Sequence, residues 1–203
     1  MEHDNSRLII LASGSPRRRE LLSLLGLPFE VMVSDADEST PPGLPPEEIV
    51  RMLALRKAEA ALHAAGERNA LIIGSDTIVM LGDKVLGKPV DQQDSRHMLR
   101  MLQGKTHQVY TGVACMGTEG RTMVEHRVTS VTIREMSEED ITAYIATGEP
   151  ADKAGSYGIQ GLGATLVERI DGCYFNVVGL PLSLLGNMLS SFGISVLGRQ
   201  GAH

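Results

Sequence analysis

An apolar run from Leu8 to Ala12 breaks at Ser13-Gly14-Ser15-Pro16, and helical spacing then takes over through Leu21, Leu22 and Leu25. A buried strand feeding a capped helix is the elementary step of an α/β protein. The first half of the chain repeats that alternation. Gly26 is placed to close the first helix with a left-handed residue. Phe29 to Val33 alternates like a strand and leads into the acidic Asp35 to Glu38 and a Pro-rich loop from Pro41 to Pro46. A long helix is expected from Pro46 to Ala65, and Leu71 to Ser75 is the clearest buried strand. Ile78 to Leu81 and Lys84 to Leu86 form a hairpin pattern about Gly82-Asp83, and Asp91 to Gln103 reads as a capped helix stopped by Gly104.

The second half opens with strand patterns at His107 to Cys115 and Met123 to Ile133. Ser137 and Asp140 have the spacing of a capping box, with Asp in place of Glu or Gln, for a helix that stops at Gly148. A glycine-punctuated loop, Gly155 to Gly163, precedes Ala164 to Ile170 and a hairpin signal at Asp171-Gly172. Leu180 to Phe192 is a last helix with Pro181 near its first turn. With 203 residues, no repeats and no linkers, one α/β domain over 1–203 is expected, with residues 1–7 and 197–203 as flexible ends.

Composition excludes several functions. A net charge of −6 argues against a surface for nucleic-acid polymers, and three Phe, four Tyr and no Trp leave little for base stacking. Cys115 and Cys173 are too few and too far apart for a disulfide framework or zinc site. No apolar run is long enough to cross a bilayer, and Met1 to Arg7 carries Glu2 and Asp4, unlike a secretory signal. A cytoplasmic protein without membrane partners is expected. The six histidines show no metal-ligand spacing, and no Gly-x-Ser-x-Gly elbow is present.

The chemistry-bearing residues come in separated groups. Ser15 suits an N-cap and Pro16 the first helical position, so Ser13 to Arg18 makes an anion site of backbone N–H groups and hydroxyls, with Gly14 allowing close approach. Arg17 and Arg18 oppose the helix dipole at a cost of about 0.3–1 kcal/mol each, which a bound polyphosphate would reverse. The competing reading is an exposed basic turn with an ordinary cap, and the segment is no Walker A loop. On the long helix an apolar stripe through Ile49, Leu53, Ala60 or Ala61, and Ala64 carries Lys57 inward, while Arg51 and Arg56 face water. Lys57 then needs a carboxylate or phosphate partner, or else snorkels to the rim.

Asp76 lies just past an apolar strand, where α/β proteins gather ligands, and Thr77 beside it can donate a hydrogen bond. A turn aspartate capping the next segment is the alternative. Glu38 ends an acidic loop, and Glu38 with Asp76 would suit a divalent ion shared with phosphate oxygens. Lys88 stands at the Gly87-Lys88-Pro89 turn. Lys153 and Gln160 flank Gly155-Ser156-Tyr157-Gly158, and the Gln160 amide could pair with a base edge.

Taken in order, Leu11 to Arg18, Asp37-Glu38, Arg56-Lys57-Ala58, Gly74 to Val79, Gly87-Lys88-Pro89, Tyr110 to Val113, Gly148-Glu149-Pro150, Asp152 to Gly161 and Val178 to Pro181 resemble the motifs of the Maf family of nucleotide pyrophosphatases. The resemblance implies a mixed, twisted sheet with flanking helices in two lobes around a cleft, an architecture like that of inosine-triphosphate pyrophosphatases. It implies hydrolysis of a nucleoside triphosphate between the α- and β-phosphates, with Mg, Mn or Co as divalent metal. Asp76 matches the general base, Glu38, Lys57 and Lys88 the other catalytic or phosphate-site residues, and Ser13, Ser15, Arg17 and Arg18 the phosphate turn. Glu38 and Asp76 are the implied metal ligands, with Asp76 base, ligand or both. Asp76-Thr77 and Asp152 to Gln160 resemble the dTTP/UTP branch, and Arg17, Thr77 and Gln160 align with the positions that separate branches. Gly87 stands where some members carry Glu, which weakens a three-carboxylate metal scheme. The resemblance also allows a homodimer. A rival class is a nucleotide-responsive regulator of septum formation that needs no turnover. A phosphotransferase is disfavoured by the absence of a Walker motif.

Overall fold

The computed structural model describes residues 7–33, 35–66 and 68–197. The expectation of flexible ends falls almost wholly on residues outside that set. Seven strands form one mixed sheet: β1 (Leu8–Ala12), β2 (Phe29–Val31), β3 (Ala70–Leu81), β4 (Lys84–Leu86), β5 (Thr106–Gly117), β6 (Thr122–Ile133) and β7 (Val167–Asp171). The order is β2-β1-β3-β5-β6-β7, with β4 paired to β3. β1 runs parallel to both β2 and β3, whereas β3–β4 and β6–β7 are antiparallel. The helices are α1 (Pro16–Ser23), α2 (Pro46–Ala65), α3 (Gln92–Leu102), α4 (Glu138–Ala146), α5 (Tyr174–Val178) and α6 (Leu182–Ser191). The mixed sheet with flanking helices matches the expected fold class.

Local signals explain most boundaries. Ser15 caps α1 with Pro16 in its first turn, Asp91 Oδ1 accepts from Asp94 N at 2.8 Å to cap α3, and Ser137 and Asp140 complete a reciprocal capping box on α4. The hairpin β3–β4 turns at Gly82, whose φ of 58° favours glycine.

Several expectations fail at element ends. β2 stops at Val31 rather than Val33. Pro181 is the N-cap of α6, which begins at Leu182. No strand follows the turn at Gly172; the short helix α5 does. The largest revision concerns β3. Leu71–Ser75 and Ile78–Leu81 were expected as separate strands, yet Ala70–Leu81 is continuous through Asp76. The continuity has a pairing cause. Parallel pairing to β1 ends at Ala12↔Gly74, and antiparallel pairing to β4 begins at Val79↔Leu86, so β3 stays extended across the change of partner.

The chain divides into two compact units, one holding the residues through Asp76, Thr111–Arg127 and those from Gly179 on, the other Thr77–Tyr110 and Val128–Val178. In the first, Ile10, Ala12, Ile72 and Ala114 pack with the α2 row Ala54, Ala58, Ala61 and Ala65. Ile9, Leu11, Leu71 and Ile73, the alternate residues, are buried as well, so both faces of β1 and β3 are covered. The expected α2 stripe is corrected accordingly: Ala61 rather than Ala60 is inward, and Ala64 is exposed. In the second unit Val79, Leu86, Leu99, Leu102, Val131, Ile133, Ile141 and Tyr157 belong to one core.

Candidate active site

β3 positions the acid group. Side chains alternate along a strand, so Gly74 and Asp76 share one face and Ser75 takes the other. The Gly74 face lies so close to α2 that a Cβ there would stand 2.2 Å from Ala54 O and 2.8 Å from Ala58 N. Only glycine admits that approach. Gly112 on β5 does the same beneath Val50, where a Cβ would meet the carbonyl oxygen at 2.1 Å. On the opposite face Ser75 Oγ lies within hydrogen-bond distance of the carbonyls of Gly112, at 2.9 Å, and Gly179, at 3.0 Å.

This close packing brings Lys57 onto Asp76. Lys57 Nζ stands 2.5 Å from Asp76 Oδ1 and 2.9 Å from Glu38 Oε1. The Lys57 and Asp76 side chains are only 16% and 12% exposed, so their attraction is weakly screened, whereas Glu38 at 65% sits at the rim. Of the two readings of Lys57, the geometry selects the partnered one. Arg56 does not simply face water. Its Nη1 donates to the carbonyls of Asp37, at 3.1 Å, and Ser39, at 2.5 Å, and so pins the loop that carries Glu38. Ser39 donates through its N–H and its hydroxyl to Asp37, holding that carboxyl below the usual range.

The Ser13 to Arg18 turn belongs to the same unit. Ser15 Oγ accepts from Arg18 N at 3.5 Å, and Ser13 Oγ accepts from Ser15 N at 3.3 Å and from Arg18 Nη1 at 3.4 Å. Arg18 Nε donates to Gly179 O at 2.8 Å. Burial lowers the Arg18 pKa, and Asp76 and Glu38 oppose that while Arg17 adds to it. A guanidinium remains charged at neutral pH, so this is a desolvated cation within the field of both acids. Gly14 is exposed, and a Cβ there would meet only Val33 at 3.5 Å, so its glycine supplies open surface rather than an unusual backbone.

Ser13, Ser15, Arg17, Arg18, Glu38, Lys57 and Asp76 therefore lie in one unit, and Thr77, Lys88, Lys153 and Gln160 in the other. Lys88 is exposed in the turn after β4. Gly155 N donates to Gly87 O at 3.0 Å, joining that turn to the segment of Lys153 and Gln160. Lys153 Nζ donates to Glu149 O at 2.5 Å and to Asp152 Oδ1 at 2.7 Å, so it is engaged within its own loop. Gln160 is half-buried. Sequence reasoning did not single out the side chains that hold this loop, Tyr144, Glu149, Ser95 and Ser156. The blocks Gly148-Glu149-Pro150 and Asp152 to Gly161, which contain Glu149 and Ser156, were its only signals. Among the described residues no group of three or more His, Cys, Asp or Glu side chains could hold a metal ion. What the first unit offers a divalent cation is the pair Glu38 and Asp76, which suits an ion whose other ligands are phosphate or water oxygens.

No helix among the described residues is long and apolar enough to cross a membrane. The chain is 50% identical over 190 residues to a dTTP/UTP pyrophosphatase of Pelotomaculum thermopropionicum, covering 93% of this chain and 98% of that one. It is 53% identical over 195 residues to a dTTP/UTP pyrophosphatase of Moorella thermoacetica, covering 94% and 98%. The Ham1 protein of Staphylococcus aureus superposes with a TM-score of 0.49 at 17% identity, over 79% of this chain and 80% of that one. The family model described as Maf-like protein matches residues 8–192. This chain belongs to the Maf-like protein family.

Proposed function

We propose that this protein hydrolyses dTTP and UTP to the monophosphate and pyrophosphate. The observation that carries the reading is the meeting of Glu38 and Asp76 on the Lys57 ammonium, in the unit that also holds the Ser13 to Arg18 turn. Relatives named for this activity at about half identity over nearly the whole chain support the substrate.

Each residue then has a role. The turn Ser13 to Arg18 receives the phosphate tail through Ser13, Ser15, Arg17 and Arg18. Ser13 Oγ accepts from Ser15 N and from Arg18 Nη1, which suits its own proton to a phosphate oxygen. Asp76 takes the proton of the attacking water through Oδ2, because Oδ1 is engaged by Lys57. Lys57 and Lys88 stabilise the charge that builds on the departing pyrophosphate. Glu38 and Asp76 would hold a divalent cation, Mg, Mn or Co, which when bound neutralises phosphate oxygens. Thr77, Lys153 and Gln160 serve the nucleoside end, with Arg17, Thr77 and Gln160 setting specificity. The same reading places the enzyme in the cytoplasm.

The test is to incubate the purified protein with dTTP, UTP, CTP, GTP and modified pyrimidine triphosphates in Mg²⁺, Mn²⁺ or Co²⁺. Pyrophosphate and monophosphate should appear fastest from dTTP or UTP. Release of orthophosphate instead, or preferred turnover of GTP, overturns the proposal.

A further inference from the structure

The segment around Gln160 is organised by a single carboxylate. Glu149 Oε1 accepts from Gly163 N at 2.8 Å and from the Tyr144 hydroxyl at 2.9 Å, while Oε2 accepts from Leu162 N at 2.9 Å. Tyr144 Oη in turn accepts from Gly158 N at 3.1 Å. The chain is thus tied down two residues before Gln160 and two and three residues after it. The close-up leaves no room for side chains on the frame. A Cβ at Gly163 would lie 2.2 Å from Gly158 O and 2.5 Å from Tyr144 Oη, and one at Gly161, where φ is 64°, would lie 2.7 Å from Glu149 Oε2.

We infer that Glu149, acting with Tyr144, is the positioning residue that holds the Gln160 loop in its base-reading conformation. The inference rests on the reading of Gln160 given above. Hydrogen bonds from backbone N–H groups to a carboxylate are among the stronger ones in a protein, and the two oxygens of Glu149 let one side chain close Leu162, Gly163 and the Tyr144 hydroxyl together. Burial pushes the Glu149 carboxyl up, but the amides of Gly163 and Leu162 and the Tyr144 hydroxyl outweigh it and hold the group below the ordinary range. The frame is therefore ionised, and closed, at neutral pH. The neighbouring Ser156 adds rigidity: it is buried with φ of 62° and meets Ser95 Oγ of α3. A non-glycine residue keeps that conformation only where its surroundings fix it.

The test uses Glu149→Gln, whose side chain keeps one acceptor and presents a donor where a second N–H points, with Tyr144→Phe as the milder change that serves if the first does not fold. Amide exchange at Leu162 and Gly163 should quicken about tenfold or more in Glu149→Gln, and at Gly158 in Tyr144→Phe. KM for dTTP should rise about tenfold with kcat within about threefold, the signature of lost substrate binding rather than lost chemistry. In the double variant with Gln160→Ala, KM should equal that of Gln160→Ala alone, since Glu149 acts through Gln160. Unchanged exchange at Leu162 and Gly163, or KM effects that multiply, overturns the inference. Wild-type base preference in Gln160→Ala would instead remove the base-reading role, and the frame would then stand or fall on amide exchange.

Discussion

Lys57 Nζ lies 2.5 Å from Asp76 Oδ1 and also touches Glu38, so one ammonium holds two carboxylates that are 38 residues apart in the chain. The arrangement makes the two obvious substitutions unequal. Asp76→Asn leaves Lys57 paired with Glu38 and should change stability little while lowering turnover of dTTP about 10²–10⁴-fold. Lys57→Met leaves a largely buried carboxylate facing an apolar group, and should cost about 1–3 kcal/mol of stability as well as activity. Urea unfolding and pyrophosphate release on the two variants check the contrast. Wild-type turnover in Asp76→Asn would end the role assigned to it.

Arg18 reaches Gly179 O through Nε and Ser13 Oγ through Nη1. A lysine keeps the charge but cannot span both acceptors. Arg18→Lys is expected to lower kcat/KM for dTTP by about 10- to 100-fold, the loss of one or two charge-assisted hydrogen bonds. Steady-state kinetics measures it, and a variant within twofold of wild type would show that charge alone suffices.

Gly74→Ala forces a methyl group against Ala54 O at 2.2 Å and Ala58 N at 2.8 Å, both backbone atoms of a packed helix. Backbone cannot rotate away, so the cost should reach about 3 kcal/mol. Because the same displacement moves α2 from β3, activity should fall with it. Chemical denaturation and pyrophosphate release on one preparation report both effects.

His107 is 2% exposed, with Nε2 2.7 Å from Tyr157 Oη and Nδ1 without a hydrogen-bond partner among the described residues. Burial pushes its pKa down from 6.5 to about 4. Above pH 6.5 both folded and unfolded states are neutral, and the contribution is intact. As the pH falls from 6.5 towards 4, the unfolded chain takes up a proton that the folded chain refuses, so stability is lost across that window. The loss from this group should approach about 3 kcal/mol. Thermal melts from pH 7 to pH 4 should show it, and His107→Gln should flatten that part of the profile.

The strands, helices and caps were legible because each is a local matter. Ser15 and Pro16, the Ser137 and Asp140 box, and Gly82 act on neighbours a few residues away, and Leu8–Ala12 declares a buried strand by itself. The site residues could be named from their motifs, and Lys57 could be suspected from its place on α2. What the chain order could not decide was who meets whom. That Lys57 chooses Asp76 and Glu38 follows from Gly74 and Gly112 letting α2 come into backbone contact with the sheet, a distance of ångströms set by two missing Cβ atoms. That β3 runs unbroken through Asp76 depends on two different partner strands, and that Glu149 closes the Gln160 loop depends on amides 13 and 14 residues further on. Sequence pattern specifies which backbone groups will be satisfied locally. The remaining polar groups find partners only when the packed fold sets their separation, and in this protein those are the groups that carry the chemistry.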